Sequence, residues 1–210
     1  MLFDDPATLQ PSDVLCWVEI CKSGLLHEEQ ESYRVLGAGE VPRSWLVTAL
    51  GVGASSRDIA DYFAASKQEL ELAAILALTA AAEARIRQDA ELRMLPKYQD
   101  WLAKRLRVLR ASVHMAWTVP LYDEGIIEAW KSYVNSLTDM AIADRARLLT
   151  AIGRFRNLLS VRHWVAHGRY WQWSWASDLW SAALAAAVIE SLYYALQRAA
   201  AHCDLMAFAE

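Results

Sequence analysis

Cysteine is scarce in this chain and has no recognisable spacing. The chain has three cysteines, Cys16, Cys21 and Cys203. Their number is odd, and no two of them form a C-x-x-C pair. The N-terminus also lacks the basic segment followed by an apolar stretch that marks a secretory signal. Because a disulfide framework needs paired cysteines in an oxidising compartment, both absences favour the reducing cytoplasm as the location.

Long hydrophobic runs are absent as well. The two most apolar stretches, residues 73–82 and 179–189, are each followed by a glutamate. Both are far shorter than the ~20 residues that a helix needs to cross a bilayer. We therefore expect no insertion into a membrane.

Residues that break helices are rare in the second half of the chain. All five prolines and six of the eight glycines precede residue 126. Apolar residues recur at three- and four-residue steps, and neither a β-hairpin signal nor a tandem repeat is present. The sequence thus predicts an all-α fold, a bundle of about five to six helices with short connections.

The size of the chain favours one compact domain. The chain has 210 residues, of which 55% are hydrophobic and 22% are charged. This length is enough for one well-buried core and short for two. We expect residues 56–210 to form the helical domain. Residues 1–55 are predicted to be an irregular region packed on it, with one short helix that begins near Ser12 or Asp13.

Five helices are expected in the main domain. The segment 55–58 opens an apolar pattern that extends to Leu95, as one long helix or as two joined by a kink. The others are predicted at residues 97–117, 124–134, 141–166 and 178–203. Gly168 is the expected terminator of the fourth helix, because glycine tolerates the left-handed conformation that closes many helices.

Acidic residues are missing from residues 145–169, although the formal net charge of the chain is -4. Arginine is well suited to bind phosphate, because its planar guanidinium is permanently charged. Arg154 and Arg156 are therefore candidates for contacts with a nucleic acid. The alternative is a solvated helix face paired with carboxylates of neighbouring helices. The segment contains six arginines: Arg145, Arg147, Arg154, Arg156, Arg162 and Arg169.

Two histidines lie near the end of this arginine-rich helix. His163 and His167 have the spacing of a two-histidine metal site, but the helix supplies no carboxylate as a further ligand, so no metal is expected. Each of them can be paired with an arginine of the same helix: Arg162 with His167, and Arg156 with His163. Five residues place Arg162 and His167 about 140° apart around a helix. The length of arginine and the position of His167 in the final turn allow both to reach one phosphate.

Residues 161–168, which read VRHWVAHG, resemble the R-x(4–6)-H signature of the HEPN superfamily. Arg162 matches the signature arginine, His163 the polar residue that follows it, and His167 the signature histidine in an Ala-His-Gly ending. The register that starts at Arg156 and ends at His163 also fits the signature but lacks that ending. The resemblance covers residues 58–196 and implies an all-helical domain.

The resemblance extends to residues 82–89, which look like an acidic and basic helix segment found ahead of the motif in some bacterial HEPN-like proteins. Glu83, Arg87 and Asp89 are candidates to orient the signature histidine or arginine; the alternative for Glu83 is a surface carboxylate without a role. In a toxin branch of the family, a tyrosine stands two residues after the signature histidine. Here Arg169 occupies that place and Tyr170 follows it.

The resemblance implies a metal-independent endoribonuclease of the bacterial cytoplasm that needs no cofactor and acts on RNA as a homodimer. Arg162 would bind the scissile phosphate and His167 would transfer a proton, since histidine titrates near neutral pH. A dimer would supply two copies of His167. A defence or toxin–antitoxin setting would add an antitoxin or another regulatory protein as a partner. The alternatives are a non-catalytic domain that binds a nucleotide, RNA or a protein, and a purely structural bundle.

Tryptophans follow the motif in an alternating pattern. Trp171, Trp173 and Trp175 alternate with Gln172 and Ser174, which is the two-residue period of an extended segment with one aromatic face. Such a face can stack bases beside a basic cleft. We favour its burial against a helix or a partner chain.

Overall fold

The computed structural model of the chain describes residues 9–40, 43–51, 53–112, 125–167 and 180–202. Within these ranges it contains seven helices and no strand, which confirms the predicted all-α class. The helices are α1 (Pro11–Gly37), α2 (Ser44–Leu50), α3 (Ser56–Arg93), α4 (Trp101–Ser112), α5 (Ile126–Ser136), α6 (Ile142–Ala166) and α7 (Ala182–Ala200).

The N-terminal region differs most from its prediction, because its first helix is long. Helix α1 has 27 residues and begins at Pro11, after Gln10 as the N-cap. The backbone N–H of Gln10 donates to the Asp13 carboxylate at 3.1 Å. The second half of α1 is rich in glutamate and glutamine, which form helices readily but carry little hydrophobic periodicity. The sequence signal for this half was therefore weak.

Helix α1 packs against α3 and α7. Its residues Val14 and Val18 are each 1% exposed and belong to the same core as the helices of the main bundle. The first half of α1 is therefore part of the main core. Further along α1, Leu25 and Leu36 pack on a small second cluster around Leu46 of α2.

Helix α3 is the longest element and contacts all six other helices of the described ranges. Its 38 residues form one helix about 57 Å long, so the alternative of two helices joined by a kink is not observed. Ser55 and Asp58 make a reciprocal cap at its start: the Ser55 N–H donates to Asp58 at 2.7 Å, and the Asp58 N–H donates to the Ser55 hydroxyl at 3.3 Å.

Local capping explains where two other helices begin. Helix α4 begins at Trp101 and not at residue 97, because the Asp100 carboxylate accepts the N–H of Ala103 at 3.0 Å. Helix α7 begins at Ala182, four residues after its predicted start. Its N-cap Ser181 accepts the N–H of Leu184, and Glu71 of α3 accepts the N–H of Ala182 at 2.6 Å. The cap from α3 could not be predicted from local sequence.

A buried ion pair lies inside the bundle. Asp89 and Arg93 of α3 are 2% and 0% exposed, and the Arg93 Nε donates to both carboxylate oxygens at 2.9 and 3.0 Å. The Arg93 guanidinium also lies 4.6 Å from the ring centroid of Trp130 in α5. This pair therefore connects α3 to α5 through a cation–π contact.

None of the helices in the described ranges combines the length and the apolar character that a membrane crossing requires.

Candidate functional site

Helix α6 carries the motif in its last two turns. One side of the helix is buried in the core through residues such as Leu148, Phe155 and Leu159. The helix ends at Ala166, as predicted, and His167 is its C-cap, with a backbone N–H that donates to the His163 carbonyl at 3.1 Å. Gly168, the predicted terminator, lies outside the described residues. The polar side chains of the motif are thus held at the end of a well-packed helix.

The structure brings Glu83 of α3 to Arg162. The Glu83 carboxylate is 9% exposed and lies 3.9 Å from the Arg162 Nε and 3.5 Å from an Arg87 terminal nitrogen. Burial raises the pKa of Glu83, and the positive charges of Arg162 and Arg87 act in the opposite direction. Because two guanidiniums share one carboxylate, this cluster keeps an excess of one positive charge. Of the three α3 residues predicted to support the motif, Glu83 and Arg87 are therefore placed beside it.

The two histidines of the motif are in direct contact. The ring centroids of His163 and His167 are 4.1 Å apart with an angle of 54° between the planes, and both residues are exposed. Loss of solvation lowers the pKa of His163, and the positive charges of His167 and Arg162 lower it further. Both effects favour the neutral form of His163.

Helix geometry separates Arg162 from the histidines. Arg162 contacts α3, whereas His167 lies about 140° away around the α6 axis. Arg156 lies two turns before His163 on the same flank of the helix, because seven residues rotate by about 700°. Its guanidinium binds Glu128 of α5 at 2.5 Å. Arg156, the arginine of the register that ends at His163, therefore already has a carboxylate partner within the bundle.

Glu128 was not identified from the sequence. It belongs to the amphipathic helix α5, where it also lies 3.4 Å from Lys131. The pattern of α5 predicts which face is buried, and Glu128 follows two residues of that face, Ile126 and Ile127. Nothing local to α5 indicates that an arginine of α6 meets it, since the contact joins residues 28 positions apart.

The remaining predicted residues are separated from this cluster or fall outside the described ranges. Asp89 is paired with Arg93 in the interior, next to Trp130. Arg154 is exposed on the other flank of α6, toward α7. Outside the described residues lie Arg169, Tyr170, Trp171, Trp173 and Trp175.

In the part of the chain that the structure describes, no group of three or more histidine, cysteine, aspartate or glutamate side chains is arranged to hold a metal ion. The site therefore consists of arginines, histidines and one buried carboxylate. Such groups can bind a phosphate and transfer protons without a metal.

The chain was compared with protein families, curated proteins and solved structures, and none of them matches. The HEPN resemblance therefore depends on the motif and its upstream segment.

The raised pKa of Glu83 predicts a pH-dependent effect of Glu83→Gln on stability. A carboxyl group whose pKa is higher in the folded state stabilises fully below its unfolded pKa of about 4.5, and this contribution is lost as the pH rises through the folded pKa. Glutamine has no such dependence. The free energy of unfolding of Glu83→Gln, relative to the wild type, is therefore expected to increase between pH 4 and pH 7.

Urea unfolding at four pH values measures this difference. Glu91→Gln is the matched control, because Glu91 is a half-exposed carboxylate of the same helix. A relative stability that falls with pH would contradict the prediction and show that attraction by Arg162 and Arg87 outweighs burial at Glu83.

Proposed function

We propose that the chain is a metal-independent endoribonuclease of the HEPN type, which works as a homodimer in the bacterial cytoplasm. The observation that carries this proposal is the position of Arg162. Arg162 lies near the end of α6 and pairs with the buried carboxylate of Glu83 in α3. The next residue, His163, contacts His167, and both imidazoles are exposed. By the resemblance to HEPN toxins, its biological setting is defence or a toxin–antitoxin system, in which a partner protein restrains it.

Arg162 is the residue that binds the scissile phosphate. Its side chain is 36% exposed, so that a ligand can reach it from solvent. The guanidinium has five N–H donors, and the Glu83 carboxylate lies 3.9 Å from its Nε. The ion pair with Glu83 favours one orientation of these donors before RNA binds, and donors placed in advance stabilise the charge of a transition state most effectively. Arg87 compensates the negative charge of Glu83.

The histidines transfer the protons. A base removes the proton of the ribose 2′-hydroxyl, the 2′-oxygen attacks the adjacent phosphorus, and the bond from phosphorus to the 5′-oxygen breaks. An acid then protonates the 5′-oxygen. The products are a 2′,3′-cyclic phosphate and a 5′-hydroxyl, and the base and acid exchange protonation states. Imidazole serves in either role near neutral pH.

The geometry of the imidazole pair supports the need for a second chain. The attacking and leaving oxygens of an in-line displacement lie on opposite sides of the phosphorus. Rings of His163 and His167 that are 4.1 Å apart leave no space for a phosphate between them. One pair can therefore serve only one side of the phosphate, and the other proton role falls to the pair of a second copy, related by a two-fold axis.

Cleavage of a labelled mixed-sequence RNA pool by the purified protein in excess EDTA tests this function. The expected result is EDTA-resistant cleavage that leaves 2′,3′-cyclic phosphate ends, by a protein that sediments as a dimer. Products with 3′-hydroxyl ends, or activity that EDTA abolishes, would contradict the mechanism. RNA binding by a folded dimer without any cleavage would instead favour a non-catalytic HEPN-like domain.

A further inference from the structure

A groove between α6 and α7 carries a second set of arginines. Its volume is about 400 Å³, which is within the range of small-molecule sites. Apolar residues of both helices line it, among them Leu148, Ala151 and Ala195, which are 1%, 3% and 8% exposed. Three arginines and one tyrosine also line it: Arg147, Arg154, Arg198 and Tyr194.

The groove has an excess of positive charge. Arg147 and Arg198 come from different helices, and each lies 3.3 Å from an oxygen of the same carboxylate, Asp144. Arg154 is exposed and makes no ion pair with any described residue. Three guanidiniums therefore face one carboxylate, in a chain whose formal net charge is -4. Such a concentration of arginine donors favours a ligand with several phosphate oxygens.

An aromatic ring lies beside these arginines. Tyr194 is 59% exposed, and its hydroxyl accepts a hydrogen bond from Arg198 at 3.0 Å. The Arg198 guanidinium also lies 5.7 Å from the centroid of the ring. The ring is thus positioned by the same arginine that lines the groove, and its exposed side chain can stack on a flat ligand. Bases commonly stack on aromatic side chains in this way in nucleic-acid complexes.

We propose that the groove between α6 and α7 binds a phosphorylated nucleoside, with its phosphates on Arg147, Arg154 and Arg198 and its base on Tyr194. The nucleoside is either a free nucleotide or a unit of an RNA strand. The apolar floor suits the faces of a base and ribose, and the arginines suit the phosphates.

This site is distinct from the motif at the end of α6. Arg154 precedes His167 by 13 residues, a distance of about 20 Å along the axis, and lies about 140° from it around the helix. The groove and the imidazole pair therefore occupy different flanks of α6. Nucleoside phosphate binding in the groove does not depend on whether the chain cleaves RNA.

Fluorescence anisotropy with a dye-labelled ATP tests the proposal on the full chain. Arg154→Ala is expected to raise the Kd by about tenfold to a hundredfold, since one charge-assisted hydrogen bond to phosphate is lost. Arg57→Ala removes an arginine that is 89% exposed in another helix and is expected to leave the Kd unchanged. Absence of binding by the folded wild type, or equal Kd values for both variants, would overturn the proposal.

Two competitors separate the parts of the ligand. Tyr194→Ala is expected to weaken ATP binding several-fold without changing the affinity for tripolyphosphate, which has no base to stack. If tripolyphosphate binds the wild type as tightly as ATP, the role of Tyr194 is wrong.

A four-nucleotide RNA with 2′-O-methyl groups distinguishes the two sources of the nucleoside. It cannot be cut by attack of a 2′-hydroxyl, so that its binding is measured independently of cleavage. Displacement of labelled ATP by this RNA assigns the groove to an RNA strand. Binding of ATP that the RNA does not displace assigns it to a free nucleotide. If the wild type binds ATP but does not cleave RNA, only the ribonuclease proposal is refuted.

Discussion

RNA cleavage by His167→Ala is expected to be slower than cleavage by the wild type by about 10²–10⁴-fold, the usual contribution of one general acid or base. His167 is exposed at the end of α6, and its side chain contacts His163 without entering the core. The substitution should therefore leave the fold intact. Initial rates on a labelled RNA in EDTA measure the effect, together with thermal unfolding and sedimentation of both proteins.

Arg162→Ala provides the second arm of this experiment, with an expected loss of about 10²–10³-fold, as for other groups that stabilise an oxyanion. Because the variant leaves Glu83 with Arg87 as its remaining ion-pair partner, its stability must be measured as well. Arg162→Lys keeps the charge but loses the planar fork, and we expect it to bind RNA with little recovery of the rate.

Matched controls distinguish a site effect from a general loss of charge. His27→Ala and Arg57→Ala each remove one exposed side chain of the same type in α1 or α3, and both are expected to cleave at the wild-type rate. If His167→Ala stays active while His163→Ala is inactive, the proton role belongs to His163 and to the register with Arg156. Activity that survives in all variants would show that a contaminant cleaves the RNA.

Asp89→Ala is expected to lower the free energy of unfolding by about 3–5 kcal/mol, the usual cost of removing one partner of a buried ion pair. Arg93 is fully buried, and its Nε donates to both oxygens of Asp89. The variant leaves this guanidinium inside the bundle with its carboxylate partner removed, since arginine stays protonated in proteins. Urea unfolding followed by circular dichroism measures the difference.

Two further variants test the cause of this loss. Asp61→Ala removes a carboxylate from the exposed i, i+4 pair with Arg57 in the same helix and should leave stability almost unchanged. The double substitution Asp89→Leu with Arg93→Met replaces both charges by apolar groups and should recover most of the loss. A small effect of Asp89→Ala, comparable with that of Asp61→Ala, would contradict a structural role for the buried pair.

Periodicity and capping made the helices of the main domain predictable. The start of α3 is marked by Ser55 and Asp58, and the end of α6 was predicted at the residue where it occurs. Helix α1 was predicted too short, because its second half is stabilised by helix propensity and by packing on α3, with few apolar residues to indicate a buried face.

The residues predicted to support the motif show that a shared helix does not imply a shared contact. Glu83, Arg87 and Asp89 lie within seven residues on α3 and were all predicted to orient the motif. Asp89 is six residues from Glu83, which turns it about 120° away around the helix. It therefore meets Arg93 and the α5 side of the core, while Glu83 meets α6.

The sequence by itself determined the helical class of this protein, the bounds of α3, α5 and α6 to within about two residues, and the arginines and histidines on which its proposed chemistry depends. These properties follow from patterns within about four residues, such as capping and the 3.6-residue period. Only the tertiary structure decided which charge meets which: Glu83 with Arg162, Glu128 with Arg156, and Arg198 with Asp144. Each of these contacts joins different helices, and their packing depends on the shape of the whole core.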